Sequence, residues 1–309
     1  ISKKVFYFKD MSHISKKRTF ALGAAMLISA LFFIWGVVYL QSKNQVAHDS
    51  NKVQIVASTN VWGDIAAQVG GEHVEVTSIL SDPEADPHLF ESDAKTASQL
   101  GSAQLIIVNG LGYDEFMDKL LEAAPQNDKT ILNVSEVLKS NQDDNPHLWY
   151  DLPRIQEVAL AIQNDLIAID PEHEISYKAN TQNFIADMQK LTSKITQVNG
   201  GVAYTERVAG YLIEDLGLTD KTPTGFSQSV ENGSEPTPQQ IQAFEAVLKS
   251  GQVKVLLYNN QAVNDVTEQL QKTAQQAGVA VVGVSETIPK VKNFQTWQMQ
   301  QLSAILGAL

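Results

Sequence analysis

Two short segments, Asp86-Pro87-His88-Leu89-Phe90 and Asn145-Pro146-His147-Leu148-Trp149-Tyr150-Asp151, nearly repeat one another, each setting a histidine between a proline and an apolar pair. Proline fixes its own φ and drives the residue before it into extended backbone, so each imidazole is presented from a constrained loop with an anchor behind it to bury. A neutral imidazole held still in that way is suited to bind a metal ion, although either segment alone would read as a packed histidine. The chain has six histidines and places two of them in this pattern, which points to a metal site rather than to packed histidines. It has no cysteine, so an ion would be held by histidine, carboxylate or carbonyl. Thiolate zinc sites, iron–sulfur clusters, disulfides and a cysteine nucleophile are excluded.

Strands and helices alternate around these loops. Residues 53–57 and 74–80 read as strands, the second leading straight into the His88 loop, and Ser92 is placed to cap a helix to about residue 100. The apolar run 105–109 reads as a strand buried on both faces, as in parallel sheets, with a helix over 115–124 and a strand over 130–134 after it. His147 lies on the loop leading to a helix over 153–169. Residues 174–198 carry one narrow apolar stripe, as expected of a long helix joining two bodies, and Asn199-Gly200-Gly201 ends it.

The alternation then resumes. Strands are expected at 202–205, 222–226, 253–258 and 279–284, and helices at 206–216, 263–276 and 294–309. Thr237-Pro238-Gln239-Gln240 has the pattern of a capping box with proline at the first helical position. The fold class is α/β: two lobes, each a mostly parallel sheet flanked by helices, joined by one long helix, with the ligand cleft between them. Glu206 and Glu286 stand at strand ends in the second half as His88 and His147 stand at loops in the first, on the edge where an open α/β sheet binds ligands. Two neutral imidazoles and two carboxylates around a divalent ion make a neutral site that can be buried. The first-half and second-half ligands are expected to meet only through that ion, so losing the histidines should loosen the contact between lobes.

Charge divides the chain. Residues 1–45 carry a balance of +6, leaving −18 for the rest of a chain whose formal charge is −12, so the folded part attracts cations and disfavours nucleic acid. Residues 19–40 are apolar and uncharged after Lys16-Lys17-Arg18, enough for a helix of about 33 Å, the span of a bilayer. The basic flank keeps the N-terminal side in the cytoplasm and the folded part outside, with Met11 a candidate start. No Ala-x-Ala-like exit precedes Gln41, so an uncleaved anchor is expected. The expected organisation is a cytoplasmic basic stretch 1–18, an anchor 19–40, a linker 41–52, a first metal-binding lobe 53–170, a connecting helix 171–200 and a second metal-binding lobe 201–309.

From about residue 53 to the end, the chain resembles the solute-binding receptors of ABC transporters that import manganese or zinc. The marks are Asp86-Pro87-His88, the segment from Asn145 to Asp151, Tyr204-Thr205-Glu206 before Gly210-Tyr211-Leu212, and Val284-Ser285-Glu286-Thr287. The resemblance implies one metal ligand from each of His88, His147, Glu206 and Glu286, and two α/β lobes on a single long helix. It also implies a non-catalytic, monomeric receptor that delivers a divalent transition metal ion, manganese or zinc, to a membrane ABC permease. The chain lacks the His-rich loop of many zinc members at 141–144, has glutamate at 286 where manganese members have aspartate, and has Glu206 where zinc members often have a third histidine. The lipid-anchor cysteine of the family is also absent, in keeping with the anchor at 19–40.

A metal-dependent hydrolase and a surface adhesin are the competing classes. The chain has no His-Glu-x-x-His, no Gly-x-Ser-x-Gly and no phosphate-binding glycine loop, and offers no positive sign of an adhesin. His13, His48, His73 and His173 read as surface residues, and Asp93 and Asp151 as helix-start groups or supports for the histidines.

Overall fold

The computed structural model describes residues 51–83, 90, 93–123, 129–231 and 234–309. The first half is built of β1 (Val53–Thr59), α1 (Asn60–Gly70), β2 (Val74–Leu80), α2 (Ala94–Ser102), β3 (Leu105–Val108), α3 (Glu115–Ala123), β4 (Thr130–Asn133), a single turn α4 (Val134–Val137) and α5 (Ile155–Ile169). After α6 (Glu174–Thr192) come β5 (Gly201–Tyr204), α7 (Gly210–Asp215), β6 (Thr219–Asp220), α8 (Phe226–Glu231), α9 (Pro238–Lys249), β7 (Val255–Asn259), α10 (Asp265–Gln276), β8 (Ala280–Val284) and α11 (Phe294–Gly307). Each half holds one four-stranded sheet, and the orders match: β2-β1-β3-β4 and β6-β5-β7-β8. Every strand pairing among the described residues is parallel. Strand order therefore reverses between β1 and β3 and between β5 and β7, the switch points at whose carboxyl ends such sheets bind ligands.

Local sequence accounts for most of this. Leu105, Ile106, Ile107 and Val108 are all buried, as a central parallel strand requires. The capping box at α9 forms as expected: Gln240 N donates to Thr237 Oγ1 (3.3 Å) and Thr237 N to Gln240 Oε1 (2.7 Å).

Four expectations are corrected. The expected cap Ser92 lies outside the described residues, and Asp93 caps α2 instead, its Oδ1 accepting from Thr96 N at 2.8 Å. The long helix stops at Thr192, not at residue 198. Thr192 and Ser193 turn their hydroxyls onto the carbonyls of Gln189 and Lys190, competing with the helix ladder, and Val198 N then donates to Leu216 O in the second half. The strand expected at 222–226 is β6 at Thr219–Asp220, because Pro223 offers no N–H to a ladder and Thr222 Oγ1 already accepts from Tyr204 N. The helix expected from Glu206 begins only at Gly210, which leaves Glu206 on a bend beyond β5 rather than at a helix start.

The halves do not meet through the site alone. One apolar core runs from Ile55, Ile107 and Trp149 in the first half to Leu257, Val284 and Trp297 in the second. Polar bonds reinforce it. Tyr150 OH donates to Ser285 O (2.9 Å), Gln298 Nε2 to Trp149 O (3.3 Å), and Asn60 and Ile288 exchange two hydrogen bonds at 2.9 and 3.0 Å. Helix α11 crosses back to pack on α1 and α6. Among the described residues no helix is long and apolar enough to cross a membrane, and the expected anchor at 19–40 lies outside them.

Candidate metal centre

His147 sits on a loop fixed from several sides. Asn109, just beyond β3, accepts from Trp62 Nε1 (3.2 Å) and donates to Pro146 O (2.9 Å), pinning the proline in front of the histidine. Leu148, Trp149 and Tyr150 form a 3-10 turn and are buried, the anchor the sequence pattern called for. Asn145 Oδ1 accepts from His147 N (3.2 Å) and lies 2.7 Å from Nδ1, while Asn145 Nδ2 donates to Arg207 O (2.8 Å). With the amide so oriented, Nδ1 carries the proton of the neutral ring and Nε2 presents its lone pair.

Nε2 points at two carboxylates from the second half. Glu206 lies just beyond β5 and Glu286 just beyond β8, and these strands flank β7. Nε2 lies 3.3 Å from Glu206 Oε1 and 3.4 Å from Glu286 Oε2, and all three side chains are fully buried. Their donor atoms lie within 4.8 Å of one another. Two donors bound at about 2.0–2.1 Å around a tetrahedral ion stand roughly 3.3 Å apart, so the spacing is that of an ion's first shell.

The surroundings explain the charge state. Burial alone would lower the His147 pKa, but its contacts with Glu206 and Glu286 prevail and push it up to about 10. Tyr113 OH donates to Glu286 Oε2 at 2.9 Å, and burial first, then the Glu286 charge, drives its pKa upward and keeps it a neutral donor. Even an imidazolium leaves two carboxylates with one positive charge, and a divalent ion beside a neutral ring balances them.

His147, Glu206 and Glu286 are thus brought together, and His88 lies outside the described residues, as do His13 and His48. His73 and His173 are half-buried rather than plain surface residues: their rings stack at 3.7 Å, and His173 Nδ1 lies 2.7 Å from Asp170 Oδ2. Asp151 faces Arg154 at 3.5 Å. Tyr113 and Asn259 are site residues that the sequence reading missed. Asn259 ends β7 and sends its Nδ2 to Glu206 Oε2 and Glu286 Oε1, both at 2.6 Å. A polar residue closing a buried strand at the ligand-bearing edge is the signal that could have found it. His147 and Tyr113 open onto a cleft of about 660 Å³, rimmed by Glu115, Asp143, Asp144, Asp220 and Glu231.

The same fold occurs in solved structures of metal-binding proteins. The solute-binding protein FpvC of P. aeruginosa, in complex with Ni2+, superposes with TM-score 0.70 and 18% identity, covering 83% of this chain and 96% of that one. The periplasmic zinc-binding protein TroA of Treponema pallidum gives 0.69 and 19%, with coverage of 83% and 99%. By sequence, the manganese-binding lipoprotein MntA of Halalkalibacterium halodurans is 29% identical over 215 residues, 66% of this chain and 69% of that protein. By class the protein is a solute-binding receptor of the ABC importers that take up divalent transition metal ions. It belongs to the family described as ZnuA, zinc-uptake complex component A, periplasmic, which it matches over residues 55–308.

Proposed function

We propose that His147, Glu206 and Glu286, joined by His88, are the ligands of one divalent transition metal ion per chain, captured outside the cytoplasm and passed to an ABC permease. The observation that carries this reading is the approach of one imidazole nitrogen to two carboxylates, at 3.3 and 3.4 Å, with all three side chains buried. Nitrogen and oxygen donors without sulfur suit both manganese and zinc, and the Irving–Williams order makes zinc the tighter ligand in isolation. Manganese is the cargo we favour in the cell, where the supply of each ion, rather than the site's own preference, decides which one is carried. Metal analysis of protein purified without added metal, followed by competition between the two ions, tests the site. Growth of a deletion strain tests the cargo, and rescue by zinc alone would contradict manganese.

The receptor acts as a monomer and without catalysis. Metal-dependent turnover of an ester or phosphate substrate would speak for a hydrolase, and binding of a host protein regardless of metal for an adhesin. The apolar stretch 19–40 serves as a single anchor in place of a lipid. A protein that keeps residues 19–40 and fractionates with membranes supports this; a soluble product beginning after Leu40 makes the stretch a signal peptide.

A further inference from the structure

We infer that Asn259 is a positioning residue that limits each carboxylate to one oxygen toward the ion and so tilts the centre toward low coordination number. The inference rests on the metal-site reading above. Asn259 ends the strand between those that carry the two glutamates, and its side chain is 1% exposed. Its amide cannot be turned round. Oδ1 accepts from Gln261 N (3.0 Å), so Nδ2 is the atom facing the acids. That nitrogen has two hydrogens, and the structure gives it two acceptors at 2.6 Å, Glu206 Oε2 and Glu286 Oε1.

In each glutamate the oxygen that faces His147 Nε2 is the other one, Oε1 of Glu206 and Oε2 of Glu286. An oxygen can accept a hydrogen bond and still face the ion, as Glu286 Oε2 does while accepting from Tyr113 OH, so Asn259 acts by direction: for either carboxylate to chelate through both oxygens, the one held at 2.6 Å must swing round and strain a short, charge-assisted bond to a buried amide. The backbone around Asn259 resists such a turn as well. Asn259 N donates to Thr205 Oγ1 (3.3 Å), and Gln261 Oε1 accepts from Glu286 N (2.7 Å), so the loops bearing both glutamates are tied to β7. Zinc is at ease with four ligands, whereas manganese prefers an octahedral, oxygen-rich shell. A clamp that withholds two carboxylate oxygens therefore disfavours manganese relative to zinc.

The test uses the full chain in detergent, with wild type, Asn259→Ala, Asn259→Ser and His147→Ala. Circular dichroism checks the fold, competition titration gives the zinc-to-manganese affinity ratio, and X-ray absorption at the zinc edge gives the number of oxygen neighbours. Asn259→Ala should add one or two oxygens to the zinc shell and lower the zinc-to-manganese ratio at least tenfold. Asn259→Ser, which can bond only one carboxylate, should fall between, and it decides the matter if the alanine variant does not fold. A folded variant with an unchanged zinc shell and an unchanged ratio, or with equal loss of both metals, overturns the role of Asn259. Wild type that binds neither ion, or His147→Ala that binds as wild type does, overturns the metal-site reading itself.

Discussion

At His147 the protein holds a proton that an ion bound as proposed would have to displace. Its pKa, raised from 6.5 to about 10 by two buried carboxylates, means that the ring of the metal-free protein is charged at neutral pH. Binding therefore releases a proton throughout the neutral range, and affinity should fall about tenfold for each unit the pH drops below the raised pKa. Titration from pH 8 to pH 6 should show a loss of roughly 100-fold from this group alone. Affinity that stays flat would remove His147 from the site. The metal-free fold has the opposite dependence: a raised pKa stabilises fully below the unfolded value of 6.5 and loses that contribution as pH climbs through about 10. Added metal should therefore raise the melting temperature least at acid pH. Replacing His147 with alanine should weaken binding by more than the roughly 100-fold typical of losing an outer hydrogen-bond partner, while circular dichroism stays native.

At the scale of elements, the loop before α5 and the start of α7 support each other across the halves. Tyr211 OH donates to Asn145 O (2.8 Å), and a Cβ added at Gly210 would lie 2.6 Å from Asn145 Nδ2. Gly210→Ala should displace the amide that orients His147 and reduce metal affinity by about 10- to 100-fold, with little change in secondary structure. Calorimetric titration checks this, and wild-type affinity would show that the amide tolerates the shift.

These supports also mark what the sequence could tell. The proline-histidine-aromatic pattern disclosed the constrained loop of His147 and its buried anchor because both are local, and the apolar run of β3 disclosed a central strand. Asn259 stayed hidden because its meaning comes from β7 lying between β5 and β8, a neighbourhood that no spacing encodes. The end of α6 was missed for a related reason: its apolar stripe continues to Ile195, but Thr192 and Ser193 bond back to the helix and Val198 pairs with Leu216 across the fold.

At the scale of the molecule, metal-driven rearrangement should be small. The interface between halves contains Trp149, Tyr150 and Trp297, all with no exposed surface, and the Tyr150 and Trp297 rings meet edge to face at 5.9 Å. Small-angle scattering with and without metal should give superimposable dimensions, and a large change would contradict the shared core. Trp297→Ala should cost about 3–5 kcal/mol, read by chemical denaturation.

The shared core also governs how the chain breathes. Where two sheets have separate cores, each can open alone and its amides exchange with solvent at its own rate. Here Ile107 of β3 and Leu257 of β7 belong to one buried cluster, so opening one sheet strips the other of its packing. Their amide protons should exchange through the same rare event, at the free energy of global unfolding. A bound ion should then slow both equally, though it touches neither strand interior.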